Sequence, residues 1–117
     1  MKALVVDDDE KNRKLLRDLL KLRNLEVIEA KDGAEAVQKV CADCKLGILD
    51  IRLPDIDGYE VARQIKKKYP AIPLLAYTAS VFKDEQEHLQ HSDLFDGVLL
   101  KPIELKQFNE LVDRFCK

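Results

Sequence analysis

At 117 residues the chain has the length of one domain, 1–117, and can bury roughly two-thirds of its unfolded surface, enough for a real core. Twenty basic against 22 acidic residues leave a formal charge of −2, which gives no global pull toward nucleic acid or anionic lipid, so partners must be recognised locally. No apolar stretch approaches the roughly 18 residues of a membrane span, Met1-Lys2-Ala3 runs straight into a strand rather than a signal peptide, and three cysteines leave an odd thiol, so a cytoplasmic domain in a reducing compartment is expected.

The first strand is read at residues 2 to 6, an apolar run ending in Asp7, Asp8 and Asp9. Leu15, Leu16, Leu19 and Leu20 mark the first helix, whose N-terminus Asp8 or Asp9 can cap. A second strand covers 26 to 30, and Asp32 with Glu35 forms a capping-box-like start to the second helix. Val37, Val40, Cys41 and Cys44 follow an i, i+3, i+4, i+7 stripe, which predicts a core-facing helical run with both cysteines as small buried hydrophobes.

The third strand, 46 to 49, ends at Asp50. Asp57-Gly58 can open a third helix carrying Val61, Ala62, Ile65 and Tyr69, and Lys66-Lys67-Lys68 reads as its solvated end complementing the helix dipole, with no aromatic interleaving to suggest nucleic acid. A fourth strand at 73 to 77 leads to Thr78, and a fourth helix at 82 to 90 has few apolar positions and should pack least firmly. The fifth strand, 97 to 100, leads to Lys101, and Leu105, Phe108, Val112 and Phe115 stripe the last helix.

Five short strands, several of them continuously apolar, alternate with amphipathic helices and define a (βα)5 chain with a parallel sheet covered on both faces. Right-handed crossovers restrict it to a doubly wound open α/β sheet, for which the order 2-1-3-4-5 is expected. Strands one and three then become neighbours, and Asp7 and Asp8 meet Asp50 at the carboxyl edge with Thr78 and Lys101 around them. Clustered carboxylates repel unless a cation joins them, and oxygen-only ligands favour a hard cation such as Mg²⁺. Asp50 can serve as a nucleophile toward phosphorus, holding the phosphoryl group as a mixed anhydride. Lys101 would place a point positive charge on that group and Thr78 a hydroxyl donor, without a separate general base. The Cys41-Ala42-Asp43-Cys44 spacing could suggest a redox pair or half a zinc site, with His88 and His91 as a formal second half, but small buried hydrophobes explain the cysteines adequately, and the sheet order separates the two helices by a third, at roughly 8 to 10 Å per helix spacing.

Val-Val-Asp7-Asp8, Leu49-Asp50, Leu53-Pro54-Asp55-Ile56-Asp57-Gly58, Tyr77-Thr78-Ala79 and Lys101-Pro102 occur in order over essentially the whole chain. Together they resemble the signature of response-regulator receiver domains of two-component phosphorelays. The resemblance implies a flavodoxin-like fold and phosphorylation of Asp50 by a histidine kinase or histidine phosphotransfer protein. It further implies Mg²⁺ bound by Asp8, Asp50 and the backbone carbonyl of Arg52, with Asp7 contacting through water. Lys101 and Thr78 would ligate the phosphoryl group, and Lys101-Pro102 would be cis. Such a domain is a self-catalysed switch rather than a turnover enzyme, with no nucleic-acid or membrane contact of its own. Asn12 and Leu15 on the first helix form the expected docking face for the histidine-bearing partner. Asn12-Arg13 with Leu15-Leu16, Phe95-Asp96-Gly97 and Lys101-Pro102-Ile103 look more like receivers of hybrid sensor histidine kinases than those of transcription factors. The chain departs from one common pattern, since Val98 stands where many receivers carry a switching Tyr or Phe.

Rival classes are distinguishable. A haloacid-dehalogenase-type phosphatase would make Asp7 rather than Asp50 essential, and needs more late acidic residues and a larger core. A flavodoxin-type flavin binder requires a phosphate-binding first loop, which Asp7-Asp8-Asp9-Glu10 would repel. An EF-hand with Gly58 as its invariant glycine would put Leu53 at the first ligand position. A phosphorylation-independent interaction module would have no use for an intact acceptor, acids, Thr78 and Lys101.

Overall fold

The computed structural model describes residues 1–79 and 93–115. The expected fourth helix at 82–90, His88, His91 and Cys116 lie outside the described residues. Five strands, β1 (Lys2–Val6), β2 (Glu26–Ala30), β3 (Cys44–Asp50), β4 (Leu74–Thr78) and β5 (Gly97–Leu100), form one parallel sheet in the order β2-β1-β3-β4-β5. The helices are α1 (Glu10–Lys21), α2 (Gly33–Lys39), α3 (Gly58–Lys68) and the C-terminal α4 (Leu105–Phe115). This is the doubly wound flavodoxin-like arrangement. No helix among the described residues is long and apolar enough to cross a membrane.

Alternation along the strands splits the apolar side chains between two cores. Leu4, Val6, Leu49, Leu74 and Ala76 meet Ala36 of α2 and Val61, Ala62 and Ile65 of α3 on one face. Ala3, Val5, Leu46, Ile48, Leu75, Tyr77 and Leu99 meet Leu16 and Leu20 of α1 and Phe108, Leu111 and Val112 of α4 on the other. Burying each such Leu or Phe contributes about 1.5–3 kcal/mol before conformational entropy is charged against it. Leu15, 46% exposed, stands off the α1 stripe, and Leu105, 56% exposed, off that of α4, where Leu111 takes the buried position instead.

Three aspartates open helices as N-caps. Asp9 accepts from the Lys11 N–H, Asp32 from Glu35 and Asp57 from Glu60, each also favoured by the helix dipole. Asp9 therefore caps α1 and leaves Asp8 for other work. One expectation fails at α2, which ends at Lys39 rather than running through Cys44. Val40 adopts ψ 140°, a turn follows, and Cys44 opens β3, so the helical periodicity of the stripe came from a turn and a strand sharing one core.

Gly58 seats α3 directly against the segment after β3. Its N–H donates to the Ile51 carbonyl at 3.0 Å. A methyl there would lie 2.5 Å from Ile51 Cα and 2.9 Å from the Asp50 carbonyl oxygen, both backbone atoms that cannot swing aside. Gly58→Ala is expected to destabilise the fold by about 1–3 kcal/mol, seen as a lowered urea midpoint at constant slope. A midpoint equal to that of the wild type would show that the loop is slack.

Candidate functional site

Strand register assembles the site. Val6 pairs with Leu49, so Asp7 and Asp50 emerge side by side. Asp50 pairs with Tyr77, Thr78 follows Tyr77, and Thr78 pairs with Leu100, the residue before Lys101. Asp7, Asp8, Asp50, Thr78 and Lys101 thus share the carboxyl edge of the sheet, at the point where the strand order reverses.

Asp50 is 6% exposed. Its Oδ1 accepts the Arg52 backbone N–H at 2.9 Å and its Oδ2 accepts from Lys101 Nζ at 3.0 Å. Asp7 is fully buried. Its Oδ1 accepts the Asp9 N–H at 2.9 Å, whereas Oδ2 makes no hydrogen bond and faces Lys101 Nζ as an ion pair at 3.3 Å. Asp8 is exposed, and each of the three carboxylates offers an oxygen within 4.8 Å of the others. Thr78 is buried at the end of β4, and its carbonyl accepts the Lys101 N–H at 2.8 Å, tying the ends of β4 and β5 together. The Lys101-Pro102 peptide is cis. Arg52 enters through its peptide N–H, which fixes the turn around Asp50.

The electrostatics are those of an acidic cluster with one internal cation. Burial pushes the Asp7 carboxyl above its ordinary value and Asp50 adds to that, against the opposing effects of the Asp9 N–H and Lys101. Burial would lower Lys101, but its hydrogen bond to Asp50 and the charges of Asp50 and Asp7 outweigh it and hold the ammonium above the usual lysine value. Among the described residues three carboxylates face one ammonium, which leaves excess negative charge, and Asp7 Oδ2 meets it with the Lys101 ion pair but no hydrogen bond. An all-oxygen donor set of this kind fits a hard divalent cation and suits zinc or copper poorly.

Three contributors escape sequence reasoning about the site. Tyr77, 1% exposed, lies with its ring centroid 4.6 Å from Lys101 Nζ, a cation–π floor for the ammonium. The same acids, after burial, push its phenol up to about 12. Arg13 Nη1 donates to the Asp7 carbonyl at 2.7 Å while its Nε pairs with Glu29 at 3.5 Å, bracing the first acidic loop. Asp55 accepts the Gly33 and Ala34 N–H groups, each at 2.9 Å, and clasps the loop after β3 to the start of α2. All three stand within motifs that carry the family resemblance, but only Tyr77 is marked by its own chemistry, as a polar aromatic closing an otherwise aliphatic strand. Val98, half-buried, packs against the core on the α3 side, so no aromatic occupies that position.

A buried aspartate, flanking acids and a lysine meet at the edge of a 2-1-3-4-5 sheet, and known proteins give this arrangement a family. Residues 3–113 match the sequence model of the response regulator receiver domain family. The polar-differentiation response regulator DivK of Brucella ovis is 30% identical over 97% of this chain and 94% of its own length. The aerobic respiration control sensor protein ArcB of Escherichia coli is 34% identical over 98% of this chain, which spans 15% of ArcB's length. Among solved structures, the response regulator TrrA of Thermotoga maritima, in complex with Mg²⁺-BeF, superposes with a TM-score of 0.84 at 33% identity, covering 98% of this chain and 99% of that one. The chain belongs to the response regulator receiver domain family, and is a receiver of two-component signalling.

Proposed function

We propose that Asp50 accepts a phosphoryl group from the phosphohistidine of a histidine kinase or a histidine phosphotransfer protein in a Mg²⁺-dependent reaction. The observation that carries this reading is the Asp50 carboxylate itself, buried, gripped by the Arg52 N–H and Lys101 Nζ, and grouped with Asp7 and Asp8. In the transfer the P–N bond of the donor breaks, a P–O bond to an Asp50 carboxylate oxygen forms, and the imidazole leaves with the bonding electron pair. An ionised carboxylate needs no base to activate it, so catalysis reduces to positioning and charge.

Lys101, already on Asp50 Oδ2, would move its ammonium onto the phosphoryl oxygens, and the Thr78 hydroxyl would donate to another. Asp7, Asp8 and Asp50, with the Arg52 carbonyl, would hold Mg²⁺, which when bound supplies positive charge against the transferring group. The product adds about two negative charges beside Lys101 and Thr78, which draws on the β4 and β5 ends and alters the surface offered to a partner. The domain on this reading is a switch rather than a turnover enzyme. TrrA's complex with Mg²⁺-BeF supports the reading by analogy.

Intact mass after incubation with phosphoramidate, with and without Mg²⁺, tests it. The wild type should gain one adduct of about 80 Da, the mass of one phosphoryl group, only with Mg²⁺, and Asp50→Ala should gain none. No adduct on folded wild type would move a phosphorylation-independent interaction role to the front.

A further inference from the structure

A pair of free thiols lies at the opposite edge of the sheet. After α2 ends, the Cys44 N–H donates to the Cys41 carbonyl at 3.0 Å and closes a four-residue turn. Within that turn the two thiols face each other, with 3.6 Å between their Sγ atoms. A turn of this span holds its end Cα atoms within about 7 Å, close to the window that a disulfide bridges, and closure asks the sulfurs to approach by roughly 1.5 Å. The β1–β3 register also slips beside Cys44, between its partner Lys2 and Ala3, so the start of β3 is already irregular where small adjustments are needed.

We propose that Cys41 and Cys44 form a reversible dithiol–disulfide site, oxidised by low-molecular-weight disulfides of the glutathione class. The two cysteines divide the labour. Cys41 is partly exposed, while Cys44 is 6% exposed and its thiol is pushed up by burial, so an external disulfide is met by Cys41. The Cys41 thiolate attacks one sulfur of the oxidant, whose S–S bond breaks and releases one thiolate. Cys44, losing its proton to solvent, then attacks Cys41 Sγ and expels the second thiol. Overall two protein thiols lose two electrons and two protons, and one small disulfide becomes two thiols.

β3 runs from Cys44 to Asp50, which at strand rise places the pair about 20 Å from the acceptor. Oxidation should therefore leave the phosphoacceptor chemistry intact, and the two readings stand or fall separately.

The full chain would be incubated with oxidised glutathione, alkylated, and cleaved at lysine. Residues 40–45 emerge as one peptide that holds both cysteines and excludes Cys116. The expected product is an unalkylated peptide about 2 Da lighter than the dithiol, restored by dithiothreitol, from protein that keeps its native amide spectrum. Cys44→Ser should instead retain glutathione on Cys41. Wild-type peptide that is doubly alkylated, or that keeps glutathione without closing, would overturn the proposal.

Discussion

Lys101→Met is expected to slow phosphoryl transfer to Asp50 by roughly a hundredfold, the scale on which removing one preorganised donor to developing charge acts. The side chain sits 3.0 Å from Asp50 Oδ2, over the Tyr77 ring, and its ammonium stays charged because Asp50 and Asp7 outweigh its burial. Methionine keeps the stem's bulk and removes only the charge and the donors. Lys101→Arg should not restore the rate, because a planar fork cannot occupy the place of a compact ammonium between two carboxylates and an aromatic face. The rate of adduct growth at saturating Mg²⁺ and phosphoramidate measures this directly. A Lys101→Met rate within twofold of the wild type would remove Lys101 from the chemistry. The same substitution strips the buried Asp7 of its cation, so the metal-free chain should also lose stability while the Mg²⁺-saturated chain loses less.

Much of this site is legible in the sequence because its acids and lysine sit at the ends of apolar runs, and a parallel sheet carries such ends to one edge. β1 and β5 fall at 2–6 and 97–100 because each is an apolar run bounded by a charge or a glycine, and β2 falls at 26–30 around the β-branched Val27-Ile28 pair. β4 begins one residue later than its apolar run suggests, since Pro73 has no N–H for the ladder and contributes only its carbonyl, to Gly47 at 2.9 Å. β3 starts two residues early for the converse reason, since parallel pairing with Lys2 recruits Cys44 and Lys45 although neither looks like a strand residue. The α2 stripe misled because a helical period over eight residues looks the same when its last members belong to a turn and a strand facing one core. Arg13 and Asp55 stand in motifs that carry the family resemblance, but their bracing contacts could not be found in advance, because the backbone groups they hold belong to other segments or loops and sequence patterns carry no record of such pairings.

Asp7→Asn is expected to stabilise the metal-free protein and to blunt its response to Mg²⁺. A carboxyl whose folded pKa lies above its ordinary 3.8 contributes stability when protonated, and loses it as pH rises through the interval between the two values. At neutral pH Asp7 is therefore a net cost, arising first from burial and then from Asp50. Asparagine keeps the Oδ1 that the Asp9 N–H requires and discards the buried charge, a gain on the order of 1 kcal/mol, or roughly 4 °C in the midpoint of thermal unfolding. Mg²⁺ at a hundred times its dissociation constant should stabilise the wild type by about 2.7 kcal/mol, and the substituted chain far less, since the charged Oδ2 that makes no hydrogen bond is gone. The two melting curves should therefore exchange order between EDTA and saturating Mg²⁺. A substituted chain less stable in EDTA, or an equal Mg²⁺ response, would mean that Lys101 alone satisfies Asp7. The exchange would instead identify the acidic edge as a site held in an unfavourable state by the rest of the fold, with the cation relieving a repulsion that the sheet topology creates.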